Sequence, residues 1–162
     1  MSLAQHVKQL WLSKLNPVTL RQIVLPAGAA VTATANAAGS TYGNWVDVAV
    51  GGTVLVDTLV VGVVLSDPSA TDVFTVDIGS CLGYANAAAV IAAGAPAIAA
   101  AHRAEVRADY TVVGAAGYYL GGYIPLTFPI WIPALVGILG RCYGITAAAV
   151  TIDVSVVCLQ GF

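Results

Sequence analysis

The chain has little charge: six basic and eight acidic side chains among 162 residues, or 9%. A soluble domain standing alone carries about 25% charged residues. Much of this surface is therefore expected to be covered, either by lipid or by other protein. Tyr110 to Gly140 contains no charge at all. Lysine occurs only at Lys8 and Lys14, neither after a glycine-rich turn, so a phosphate loop is excluded. The Gly-x-Gly-x-x-Gly and Gly-x-Ser-x-Gly patterns are missing, which removes dinucleotide binding and the hydrolase elbow. His6 and His102 have no spaced partner, and Cys81, Cys142 and Cys158 lack metal spacing. The cysteines read as buried free thiols of a reducing compartment. No secretory signal is read, because Lys14 interrupts the only apolar stretch near the start. No catalytic, metal or cofactor site is expected.

A mean hydropathy of +0.87 invites a membrane reading. The Tyr110–Gly140 stretch exceeds the roughly 20 residues of a spanning helix. It is interrupted by Gly114, Gly117, Gly121, Gly122, Pro125, Pro129, Pro133 and Gly137. Three prolines four residues apart each remove a helix hydrogen bond and clash with the preceding turn. A membrane barrel would join its strands by polar loops, which are scarce here. Sequestration by protein is the better reading.

What is present is alternation. Val18–Leu25 and Val46–Val50 suit strands, Ala29–Ala38 is small and weakly extended, and Gly51-Gly52 offers a tight hairpin. Thr53–Leu65 is β-branched and interrupted by Gly62, so it reads as two strands or one bulged strand. Phe74, Val76 and Ile78 face one way, with Thr75 and Asp77 opposite, as in a half-buried strand. Cys81–Ala101 reads as a short helix or compact loop, with helix propensity over Ala87–Ala93. Strands resume at Arg103–Val113, Ile124–Ile132, Leu135–Cys142 and Ala149–Leu159. In the last of these, Val150, Ile152, Val154 and Val156 face inward. About eight antiparallel strands with Gly/Pro turns predict an all-β sandwich or jelly roll.

Residues 1–28 are expected to form an N-terminal arm ahead of a single sandwich domain, 29–162. Ser2-Leu3-Ala4-Gln5 reads as a capping box. Leu3, Val7, Leu10, Trp11 and Lys14 follow helical spacing, and Asn16-Pro17 ends the pattern. Such a helix is marginal alone in water and needs a docking partner.

Few side chains carry candidate function. Asp47, Asp57, Asp72, Asp77 and Asp153 read mostly as outward, solvating carboxylates. Asp67 and Asp72 flank a turn without an EF-hand loop. Arg103, Glu105, Arg107 and Asp109 form a charged ladder, either a solvated strand face or an intersubunit contact. Arg141 is isolated in an apolar strand and needs a carboxylate or carbonyl, which a neighbouring chain could supply. Tyr118, Tyr119, Tyr123, Phe128 and Trp131 could stack on sugars or pack an interface. A basic groove for nucleic acid is missing. The partner-binding candidates are thus Leu3, Val7, Leu10, Trp11, Lys14, Arg103, Arg107 and Arg141.

The segment Ile124-Pro125-Leu126-Thr127-Phe128-Pro129-Ile130-Trp131-Ile132-Pro133-Ala134, continuing through Arg141-Cys142 to Val150–Leu159 and Gly161, carries a resemblance. It resembles small β-sandwich structural proteins of tailed bacteriophages: cement or decoration proteins of the head, and related jelly-roll head-fibre or tail modules. That resemblance implies a non-enzymatic virion protein, assembled in the host cytoplasm and bridging shell subunits. Its partners would be the major capsid protein or other virion proteins, and sister copies in a homo-oligomer, on this analogy a trimer. Membrane and nucleic acid are not among the implied partners. A glycan- or receptor-binding fibre module is the alternative.

Overall fold

The computed structural model describes residues 21–38, 40–94, 103–110, 122–145 and 149–161. Among these residues, nine strands and one α-helix follow in order: β1 (Arg21–Leu25), β2 (Val31–Thr34), β3 (Val46–Ala49), β4 (Thr58–Ser66), β5 (Asp72–Ser80), α1 (Ala87–Ala92), β6 (Arg103–Tyr110), β7 (Tyr123–Ile132), β8 (Ile138–Gly144) and β9 (Thr151–Gln160). Sheet A runs β1-β9-β4-β7, with β2 also on β9. Sheet B runs β3-β8-β5-β6.

β1 and β2 act as two halves of one strand. β1 pairs with residues 156–160 of β9 and β2 with residues 151–154. A cis Leu25–Pro26 bond lies between them. Four pairs nest: β2 with β9, β3 with β8, β4 with β7, and β5 with β6. A long hairpin of four strand pairs, rolled so that successive pairs alternate between sheets, is a jelly roll. The all-β prediction therefore holds.

The core lies between the sheets and is built by alternation. Val60, Val63 and Leu65 of β4, Phe74, Val76 and Ile78 of β5, and Ile152, Val154 and Val156 of β9 are fully buried there. β-branched side chains suit a pleated surface and lose little freedom on it. Burying one such side chain is worth about 1.5–3 kcal/mol.

Several expectations are corrected. Gly51-Gly52 makes no hairpin: Gly51–Thr53 is a 3-10 turn that carries the chain from sheet B to sheet A. The need for glycine at 51 is close approach, since a Cβ there would lie 2.2 Å from the Leu135 carbonyl oxygen. Arg21–Leu25, expected in the arm, is integrated into sheet A as β1. β5, expected to be half-buried, is covered on both faces, with Thr75 and Asp77 as inaccessible as Phe74. Of the two readings for Thr53–Leu65, the structure has one strand, beginning at Thr58, with its register broken between Val60 and Gly62. The short helix is found at Ala87–Ala92, its first turn capped by Asn86, whose side chain accepts from the Ala89 N–H at 2.9 Å.

Candidate functional site

The register of sheet B puts Asp77 of β5 between Arg141 of β8 and Glu105 of β6. All three project from the sheet face opposite the core. Arg141 donates to Asp77 Oδ2 through Nε at 3.0 Å and through Nη2 at 2.9 Å. Arg103 Nε lies 3.1 Å from Oδ1, an ion pair without hydrogen-bond alignment. The Asp77 side chain has no solvent exposure, against 17% for Arg141 and 27% for Arg103.

Aromatic rings complete the cluster. The Arg141 guanidinium carbon lies 4.3 Å from the Tyr42 ring centre and 4.2 Å from that of Trp45. Such contacts are worth roughly 0.5–2 kcal/mol, more as water is excluded. Tyr42 donates its hydroxyl to Glu105 Oε2 and packs edge-on against Tyr143, with centroids 4.7 Å apart. The segment 40–45 reaches this position by bonding along β8, with Ser40 N–H to Gly144 O and Gly43 N–H to Cys142 O. Beside it, Trp45, Cys81, Ala87, Val90 and Leu139 form a second small core beneath α1. Asp47 fastens the helix by accepting the Ala87 N–H at 2.8 Å.

Burial pushes the Asp77 carboxyl above its ordinary range, opposed by the hydrogen bond and charge of Arg141 and by the charge of Arg103. Burial, and then the bond to Glu105, also raises Tyr42. Burial alone pushes Cys142 and Cys158 up to about 12. A thiol so protonated is a poor nucleophile. The cluster therefore has the chemistry of a structural clasp: a sealed carboxylate, two paired guanidiniums and stacked rings.

The outer face of sheet A is built differently. One cross-strand row reads Gln22, Leu159, Leu59, Trp131. The next reads Val24, Val157, Gly62, Pro125. Tyr123 lies over Gly62, where an added Cβ would meet its ring at 2.1 Å. On β7, Leu126–Pro129 stand opposite Val61 alone, so four residues bulge against one. Phe128, on that bulge, is 81% exposed, with Tyr123 at 53% and Trp131 at 46%. Bulges re-aim side chains and end pairing at sheet edges, and Pro125 and Pro129 discourage strand addition. At the other edge, an open groove of about 560 Å³ lies between β1 and the exposed Leu55 and Val56.

Of the residues singled out from sequence, Arg103 and Arg141 are brought together around one carboxylate. The carboxylate that Arg141 needs is Asp77 of the same chain, where a neighbouring chain had been one possible source. Arg107 is exposed, opposite Thr75, and stands apart from that pair. Leu3, Val7, Leu10, Trp11, Lys14, His6, His102, Tyr118 and Tyr119 lie outside the described residues. Sequence reasoning missed Asp77, Tyr42 and Trp45. The available signal was the isolated Arg141, which demanded a carboxylate. Asp77 and Asp72 are buried, against the outward, solvating role expected of them. Among the described residues, no group of three His, Cys, Asp or Glu side chains could hold a metal. No described helix is long and apolar enough to cross a membrane. No protein-family model matches the chain, and no curated protein or solved structure shows detectable similarity to it.

Proposed function

We propose that the chain is a non-enzymatic virion structural protein, a cement protein that stabilises a bacteriophage head by bridging shell subunits. The observation that carries this reading is the apolar outer face of sheet A on a jelly roll whose sequence is only 9% charged. Such a face resembles the apolar centre of an obligate interface. The partner in this reading is the major capsid protein, and sister copies share the load as a closed homo-oligomer, with threefold symmetry as the expectation. Residues 1–20 serve as the tether, offering Leu3, Val7, Leu10, Trp11 and Lys14 to the shell.

The test is co-sedimentation of the purified chain with expanded, undecorated phage shells, together with the native mass of the free protein. Saturable binding that raises the temperature of shell disruption is expected, and removal of residues 1–20 should weaken it at least tenfold. A monodisperse monomer that ignores shells would sink the proposal.

The three exposed aromatics of β7 favour one second reading, a glycan-binding fibre module. A glycan array with wild-type, Tyr123→Ala and Phe128→Ala proteins separates the two. Specific sugar binding lost in both variants would favour the fibre module.

A further inference from the structure

We propose that β6 is a self-pairing edge. Two copies of this chain join β6 to β6, antiparallel, about a two-fold axis through Val106, so that their two four-stranded sheets B become one continuous sheet. This adds a two-fold contact to the virion reading and does not rest on it, because it is a property of the free chain.

The edge is long and regular. β6 ends the path β3-β8-β5-β6, and its far side meets no strand among the described residues. It pairs with β5 from Arg103 to Tyr110 without a register break and contains no proline. The other described edges are blunted. β7 carries Pro125, Pro129 and a bulge, Pro26 lies between β1 and β2, and β3 is four residues long with a register shift. A regular edge offers its row of N–H and C=O groups to another strand.

The side chains then select the occupant. Arg103, Glu105, Arg107 and Asp109 share the outer face of β6, while Val106 is buried on the other. Centred on Val106, self-pairing sets Arg103 against Asp109 of the second copy and Glu105 against its Arg107. The two-fold axis repeats both pairs, so every charge faces its opposite. Sliding one strand by two residues brings Glu105 against Glu105 or Arg107 against Arg107. Parallel pairing in register sets each charge against its own kind. Like charges directly opposite are destabilising, so one register is selected. A slip by one residue turns the charges to the core side. Edge charges commonly guard against pairing. Guards of one sign repel a second copy, whereas this alternation, reversed, is its own complement.

The four side chains keep capacity for such contacts. Glu105, Arg107 and Asp109 are exposed, and among the described residues neither Arg107 nor Asp109 has an ion pair. Arg103 turns Nε toward Asp77, which leaves its terminal nitrogens. Glu105 accepts Tyr42 at Oε2, which leaves Oε1. Eight residues of edge make a small interface, so the dimer is reversible. Its exposed ion pairs set register more than affinity.

The experiment takes the full chain, free of any particle, through sedimentation equilibrium from about 10 µM to about 1 mM, a range that covers weak association. A monomer–dimer equilibrium is expected, weakened by salt because the ion pairs are exposed. Arg107→Glu creates two Glu–Glu contacts and should raise the dissociation constant at least tenfold, as should Glu105→Arg. An equimolar mixture of these two variants restores every opposite pair and should recover the dimer. If Glu105→Arg does not fold after losing its bond to Tyr42, cross-linking reads the register instead. With a rise of about 3.4 Å per residue and about 4.8 Å between strands, the two 107 positions lie roughly 8 Å apart and the two 109 positions roughly 21 Å. A short bismaleimide should therefore join Arg107→Cys chains into dimers and leave Asp109→Cys chains single. The native Cys81, Cys142 and Cys158 are buried and leave a low background. A chain that stays monomeric up to about 1 mM overturns the proposal, since its edge is then closed. So does an oligomer unmoved by Arg107→Glu, or cross-linked equally at 107 and 109. Shells are absent throughout, so a monomer that still binds them would remove this contact and keep the virion reading.

Discussion

The two sheets turn opposite characters outward. Sheet B carries a fully buried carboxylate clasped by two arginines and roofed by Tyr42, Trp45 and α1. Sheet A carries valines, leucines and aromatics with no comparable charge cluster among the described residues. Both faces arise from the same strand alternation. The difference lies in what covers them. A covered face can keep ions only if each is paired, because desolvating an isolated charge costs several kcal/mol. An apolar face needs no specific pairing and accepts any complementary surface. Sheet B's outer face is therefore closed over its buried ions by residues of the same chain, whereas sheet A's outer face is apolar, with Val24, Trp131 and Phe128 partly exposed.

The strongest challenge to this contrast is Asp77→Ala. It strands two guanidiniums in a partly buried site and should cost about 3–5 kcal/mol, read from the denaturant midpoint. A loss below 1 kcal/mol would mean that the clasp is incidental. Pairing it with Arg141→Ala in a double-mutant cycle should return a coupling of about 1–3 kcal/mol.

Alkaline pH probes the interior that both sheets share. The native pKa values of Cys142 and Cys158 lie above their ordinary value of 9.0, and Tyr42 lies above 10.0. Protonated thiols thus favour the fold below about pH 9, and that contribution is lost as pH rises toward 12. Each fully shielded thiol adds a slope of up to about 1.4 kcal/mol per pH unit. Unfolding measured from pH 8 to 11 should show stability falling above pH 9, with a shallower fall in Cys142→Ala. A flat profile would contradict the burial of these groups.

On sheet A, Gly62→Ala puts a Cβ against the far end of the half-exposed Tyr123 ring, which can swing aside, and should cost less than about 1 kcal/mol. Most of that should vanish in a Tyr123→Ala background, since a shared clash is not additive. An unchanged cost would place the strain elsewhere in the bulge. Phe128→Ser should have the least effect, within about 0.5 kcal/mol of wild type in thermal unfolding, because the side chain is already in solvent. A large loss would show that sheet A's outer face supports the fold as well as contact.

Much of the architecture was legible before the fold was seen. Val150, Ile152, Val154 and Val156 were expected inward, and the core contains them. Gly62 marked an interruption in a β-branched run, and the register breaks beside it. Ala87–Ala93 carried helix propensity, and α1 lies there. Gly51-Gly52 misled because a glycine pair looks the same whether it serves a hairpin or a close contact. Asp77 misled because alternation assigns a residue to a face but is silent on whether that face is roofed. The roof comes from Tyr42 and Trp45, in a segment that reads as turn and loop.

Periodicity and composition, which act over a few neighbouring residues, determined on their own that this chain is all-β and which strand side chains turn inward. Tertiary structure decided which strands became neighbours. That choice set Asp77 against Arg141, 64 positions away, and made one outer face a charged clasp and the other an apolar surface. Registry between distant strands is a property of the whole packed sandwich, and no local pattern encodes it.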